Sequence, residues 1–251
     1  MMPKAKVKET VRPVDFISER DVAERFAEMY RGKLLFDHDR GRWYEWTGTY
    51  WRMDDNGLVR DMIGTLCKME SRREKPGDKR KIRSKGFSGG IEKFCQDHRT
   101  FAFNTARWNA DPFLLGVPGG VVDLKTGAQR AAVPEDYINR RTLVDPADDE
   151  DCEGWLTFLN EALAGDTAVI EFMQRWMGYC LTGSTREEQL VFFHGPGGNG
   201  KGTAIGTTTR IMGDYHVTAS MHVFMSEGYH YHLTHIAMLA GARCVTAQET
   251  A

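Results

Sequence analysis

The sequence predicts a mixed α+β N-terminal module, followed by a short helical bundle and a partial P-loop α/β domain. Three observations carry that prediction. Up to residue 130, stretches of helical period alternate with short aromatic or β-branched runs split by turn residues. From 155 to 181, apolar residues recur at helical spacing through two segments. Then "QLVFFH", 189–194, a strand-length apolar run, leads straight into "GPGGNGKGT", which has the glycine and lysine spacing of a phosphate-binding loop.

Composition sets the outer limits. The 251 residues are 41% hydrophobic and 27% charged, the balance of an ordinary soluble protein. A formal net charge of −2 means that any nucleic-acid contact must come from a local patch. Five cysteines, Cys67, Cys95, Cys152, Cys180 and Cys244, lie far apart without a C-x-x-C pair, which fits a reducing cytosol better than a disulfide or zinc framework. The start has basic residues but no apolar core after them, so it is not a signal peptide, and no run of 18 apolar residues exists to span a membrane.

Residues 1–16 read as a disordered basic tail. "SERDVAERFAEMYRG" then predicts a helix, with Ser18 as its cap, Asp21 completing a capping box, Val22, Phe26, Met29 and Tyr30 on one face, and Gly32 at its end. "KLLFDHDRGRWYEWTGTYWRMDD" predicts a small meander with turns at 39–41 and 47–48. Its Trp43, Trp46, Tyr50 and Trp51 suit either a base-stacking platform or the packing of a small sheet, and the second is favoured because aromatic residues dominate small cores. Leu58, Met62, Ile63, Leu66 and Met69 mark the next helix.

"SRREKPGDKRKIRSKG", 71–86, carries eight lysines and arginines against Glu74 and Asp78. Pro76 and Gly77 predict a loop. Arg72, Arg73, Lys79, Arg80, Lys81 and Arg83 are candidates for holding a nucleic-acid backbone, with a plain solvated loop as the equal alternative. A further helix is expected at 88–98, with Ile91, Phe94 and Cys95 inward. Strands and turns are expected over 113–130, with a tight turn at Lys125-Thr126-Gly127. The acidic stretch 145–154 reads as a linker.

Beyond it, Trp155, Leu156, Phe158, Leu159, Ala162 and Leu163 predict a short amphipathic helix. Asp166 caps a longer one, marked by Val169, Ile170, Met173, Trp176, Met177, Cys180 and Leu181 and closed at Gly183. In the glycine loop, Gly195, Gly197, Gly198 and Gly200 let the backbone curl and aim its N–H groups inward. The helix that follows places its positive end at the same point. Lys201 adds a mobile cation for the β- and γ-phosphates, so residues Gly195, Pro196, Gly197, Gly198, Asn199, Gly200, Lys201, Gly202 and Thr203 form the candidate nucleotide site.

Gly202 stands where a hydroxyl residue usually ligates magnesium, which predicts weakened metal binding with water filling the slot. "ARCVTAQET", 242–250, predicts a later strand with Glu249 at its end. Glu249 can orient an attacking water and reach magnesium through water. His230, His232 and His235 lack zinc spacing and read as a polar loop or inter-subunit contact.

The glycine loop, "GDYHVTASMHVFM" (213–225) and "HLTHIAMLAGARCVTAQET" (232–250) together resemble the core of superfamily 3 helicases, in the phage, plasmid and poxvirus primase-helicase group. Upstream, "DHDRGRWYEWTGTYWR", "GVVDLKTGAQR" and "FLNEALAGDTAVIEFMQRWMGYCLTGSTREEQLVFFHG" resemble that family's helicase-associated region and the helices before its ATPase. The resemblance implies an AAA+-like ATPase using ATP and Mg2+. It implies assembly as a ring, usually a hexamer, that moves along DNA during replication of a mobile element in the cytoplasm of a bacterial or phage-infected cell. It assigns Lys201 as the phosphate-binding lysine and Glu249 as the water-activating acid. Where the family often has an acid, this chain has Gln248 or His235.

The domains implied are the tail at 1–16, the helicase-associated module at 17–145, the helical linker bundle at 146–185 and the truncated ATPase at 186–251. Because the sequence stops two residues after Glu249, the expectation is an amino-terminal helicase fragment that binds ATP but does not unwind DNA alone. The alternative is a non-catalytic DNA-binding or assembly module with a vestigial nucleotide site.

Overall fold

A computed structural model describes residues 17–224 and 236–248. The basic tail, His230, His232, His235 and Glu249 lie outside the described residues. The chain is mixed α/β, with seven α-helices and three small sheets among those residues. It divides into two compact units, one holding residues up to 45 together with 53–104, the other 46–52 and everything from 105 onward.

In the first unit, α1 (Glu19–Tyr30) starts as the sequence predicts. Ser18 Oγ accepts from the Asp21 amide at 3.2 Å, and the Asp21 carboxylate accepts from the Ser18 amide at 3.0 Å. Val22, Ala23, Phe26 and Ala27 are buried, but Met29 is 48% exposed. The buried residues centre the inner face about 90° away from Met29 around the helix. Strands β1 (Leu34–Asp37), β2 (Arg42–Trp46) and β3 (Trp51–Met53) form the expected meander, with Trp46, Trp51 and Arg52 counted in the second unit. A strand the sequence reading omits, β4 (Ala102–Phe103), pairs parallel to β1, giving the order β3-β2-β1-β4.

Helix α2 (Leu58–Glu70) forms where expected and buries Val59, Ile63, Leu66 and Cys67, while Met69 is 51% exposed. The basic segment is not a loop. It forms a 3₁₀ turn at Ser71–Arg73 and then α3 (Pro76–Ile82). Pro76 occupies the first turn, where a missing N–H costs nothing, and Ile82 is fully buried. Helix α4 (Lys85–Gln96) is capped by Ser84 and buries Phe87, Ile91 and Cys95. Phe94 faces outward with the Arg20 guanidinium 5.1 Å above its ring. These helices share one core with Leu34, Phe36, Trp43 and Phe101.

In the second unit, β5 (Leu114–Val117), β6 (Gly120–Asp123) and β7 (Gln129–Arg130) form an antiparallel sheet. The predicted turn closes as the Gly127 amide donates to Asp123 O at 2.7 Å, with Gly127 at φ 75°. Helices α5 (Glu153–Ala162) and α6 (Thr167–Leu181) follow. Asp166 caps α6 by accepting from the Val169 amide at 3.1 Å. Then come α7 (Lys201–Met212) and two parallel strands, β8 (His216–Ser220) and β9 (Cys244–Gln248). β9 was expected, and β8 was not.

The predicted strand at 189–194 is absent. Leu190 is 78% and Phe192 65% exposed. Apolar content alone does not make a strand. A strand needs a neighbour for its N–H and C=O groups, and no described strand lies along this run.

Candidate nucleotide-binding site

The loop 195–200 ends where α7 begins. Gly195, Gly198 and Gly200 take φ values of 146°, 77° and 84°, in the half of conformational space that side-chain-bearing residues avoid. Two of them are also sterically committed. A Cβ on Gly195 would lie 2.4 Å from Asn199 Nδ2, and one on Gly200 would lie 3.0 Å from the Phe158 ring. Helix α5 therefore packs against the loop, a contact that sequence spacing did not reveal because 42 positions separate the two residues.

Gly200 is the N-cap of α7 and carries no capping side chain. No acid lies in the first turn, so the amide end of the helix keeps its positive potential. Lys201 opens the helix and turns back over the loop. Its Nζ donates to Gly195 O at 2.7 Å, to Asn199 Oδ1 at 2.8 Å and to Pro196 O at 3.1 Å. The ammonium thus lies among the oxygens of the loop that ends at the amide end of α7. Gly202 and Thr203, in the first turn of that helix, are exposed, and a Cβ on Gly202 would meet nothing within 4 Å. A polyphosphate suits this donor set. For a metal, the described loop offers no carboxylate, and among the described residues no cluster of three or more His, Cys, Asp or Glu is placed to hold an ion. Glu249, expected to supply the acid, lies outside the described residues.

β8 and β9 are in register from His216 opposite Cys244 to Ser220 opposite Gln248. β9 therefore runs parallel to its partner toward position 249. Cys244, the first residue of β9, packs against the core cluster that holds the buried Cys180, and the interaction of the two thiols raises that of Cys180 and lowers that of Cys244. His216 is held below its usual value by partial burial, and its Nε2 lies 2.8 Å from Thr246 Oγ1.

The aromatic residues of the meander divide. Trp43 and Trp51 are 5% and 1% exposed and serve packing, and Trp51 Nε1 donates to Pro134 O at 2.9 Å. Trp46 and Tyr50 are half-buried, with the Arg141 guanidinium 4.6 Å over the Tyr50 ring.

The family described as D5 N terminal like matches residues 23–164, more than half of the chain. The chain belongs to that family. This D5-like primase-helicase family agrees with the primase-helicase group that the motifs resemble. The D5 N-terminal-like match runs from within α1 to just past the end of α5 and stops before the glycine loop. A similar protein, "Putative helicase L207/L206" of Acanthamoeba polyphaga mimivirus, is 23% identical over 246 aligned residues, which cover 85% of this chain. The D5-like chain spans about a quarter of that relative's length (25%). Among the described residues no helix is long and apolar enough to cross a membrane.

Proposed function

We propose that this chain is part of an ATP-dependent DNA helicase of mobile-element replication, and that the loop 195–203 is its ATP site. The observation that carries the reading is the placement of Lys201. Its ammonium lies within hydrogen-bonding distance of three loop oxygens, at the uncapped amide end of α7. In this reading the loop carbonyls hold the lysine until a phosphate chain takes their place. The amides of 200–203 and Lys201 then bind the β- and γ-phosphates. Asn199 orients the lysine, and Thr203 borders the phosphates. The region 186–251 serves as a P-loop α/β domain of AAA+ type, and α5 and α6 are the helices that support it.

Bound Mg2+–ATP supplies the phosphoanhydride whose cleavage drives movement. With Gly202 in the usual metal slot, Glu249 would hold magnesium through water, and the ion would offset charge on the phosphates. DNA is the proposed track, and a ring of copies, usually six, the proposed assembly of the whole protein. Family membership and the likeness to a protein named as a helicase support the helicase-related part of this reading.

The test is equilibrium binding of a fluorescent ATP analogue, with and without magnesium, beside Lys201→Ala. Losing one charge-assisted partner predicts an affinity about ten- to a hundredfold weaker for the variant. Removing magnesium should have a smaller effect. A folded wild-type chain that binds no analogue overturns the ATP reading and leaves a DNA-binding or assembly module with a vestigial loop.

A further inference from the structure

In the first unit, α2, α3 and α4 enclose a cleft of about 330 Å³. Its floor is apolar, from the buried Cys67 and Ile82, and Gly64 leaves it open because a Cβ there would meet nothing within 4 Å. Its polar lining is Lys68, Arg72, Arg83 and Ser88, three of the four cationic. Lys68 is not among the sequence candidates. It lies at the end of α2, four residues before Arg72 in the 3₁₀ turn, and both side chains line the cleft.

Three features make this more than a charged surface. First, Arg83 is held in place. Its Nε donates to Ser71 Oγ at 2.8 Å, and that hydroxyl donates to Lys68 O at 2.8 Å, with Ser71 fully buried. Such a guanidinium keeps both Nη groups for an external acceptor, the fork that matches phosphate. Second, the neighbouring carboxylates are engaged elsewhere. Glu70 takes Arg25 at 2.5 Å, and Glu92 takes Arg60 at 3.1 Å. Glu74 and Asp78 belong to the same segment but do not line the cleft. Third, Arg80 and Lys81 are exposed on α3, extending the positive potential beyond the cleft.

We propose that this cleft seats a phosphate group, and that a phosphodiester of a nucleic-acid strand is its source. A free triphosphate offers the same chemistry. The strand is favoured because the cations continue along α3 past a single phosphate's reach. The proposal deepens the DNA part of the function proposed above, but it does not depend on the ATP loop.

The experiment uses the full chain and two probes. Fluorescein-labelled single-stranded oligothymidine is titrated by anisotropy at several salt concentrations, and inorganic tripolyphosphate is titrated by calorimetry. The double variant Lys68→Ala/Arg72→Ala removes two exposed side chains, so its fold is expected to survive. Arg83→Ala is the second variant. Arg31→Ala/Lys33→Ala, also exposed and in the same unit, matches the double variant's change in net charge.

The cleft pair should make the salt slope of strand binding shallower by about 0.7 per cation removed and weaken binding about fivefold or more, and the control pair should do neither. Loss of tripolyphosphate binding with unchanged strand binding keeps the phosphate site and assigns it the free source. Equal effects of cleft and control pairs, or no effect on either probe, overturn the proposal. Lys201→Ala should leave strand affinity intact, so failure of the ATP reading and failure of the cleft are told apart.

Discussion

Gly202 and Gly200 are neighbours of Lys201 with opposite tolerances. Gly200 sits at φ 84° with the Phe158 ring 3.0 Å from any added Cβ, so a side chain there strains the loop. Gly202 faces open space at an ordinary helical φ. Gly202→Ser should therefore fold well and gain about 0.3–0.5 kcal/mol from better helix propensity. On the function proposed above, its hydroxyl would supply a magnesium ligand, so the affinity for the ATP analogue should become more dependent on magnesium than in the wild type. Titrating magnesium against both proteins checks this, and an unchanged dependence means that the hydroxyl does not reach the metal. The motif was fully legible in the sequence. The pressure of Phe158 on Gly200 was not, because it depends on how α5 meets the loop.

At the scale of elements, Ser18 and Asp166 were legible as caps, since each acts on an amide three residues away, but Ser84, which caps α4 in the same way, was not, and that helix was expected to begin only at 88. The start of α2 shows a less visible device. Its N-cap is Gly57 in a left-handed conformation, and Asp54 does the capping from outside the helix. Partial burial pushes the Asp54 carboxyl up, but the amides of Val59, Leu58, Gly57 and Asn56 outweigh it and hold the acid below its ordinary value. The distances are 2.8 Å from the Gly57 and Leu58 amides and 3.0 Å from that of Val59. Asp54→Ala should cost about 1–2 kcal/mol in urea unfolding at neutral pH. Because the folded value is depressed, this stability is present above about pH 4 and is lost as pH falls through the folded value. Wild type and variant should then converge in acid, and a gap independent of pH would mean that the carboxylate's charge is not what caps α2.

At the scale of the whole molecule, each unit has its own core, and in the second unit one tyrosine ties distant segments together. Tyr215 is fully buried. Its hydroxyl accepts from the Gly116 amide and donates to Arg140 O, both at 2.9 Å. The Arg243 guanidinium lies 4.4 Å over its ring and donates to Leu181 O at 2.6 Å and Leu114 O at 2.7 Å. This joins β5, the end of α6, the segment around 140 and the entrance to β9. Tyr215→Phe leaves the Gly116 amide and the Arg140 carbonyl without that partner and should cost about 1–3 kcal/mol, read as a lower melting temperature. A variant as stable as wild type would show that these groups find other partners.

Local chemistry was legible from the sequence alone: the caps Ser18 and Asp166, the meander, the turn at Gly127 and the glycine–lysine loop. These depend on a few adjacent residues, whose backbone preferences and hydrogen bonds act over one or two turns. Tertiary structure decided what depends on distant neighbours. It denied 189–194 a strand, since no described strand lies beside that run. It folded the basic segment into a helix, because burial of Ile82 outweighs the signal of Pro76 and Gly77. It brought Lys68, Arg72 and Arg83 around one cleft, an arrangement that charge counting along the chain does not reveal.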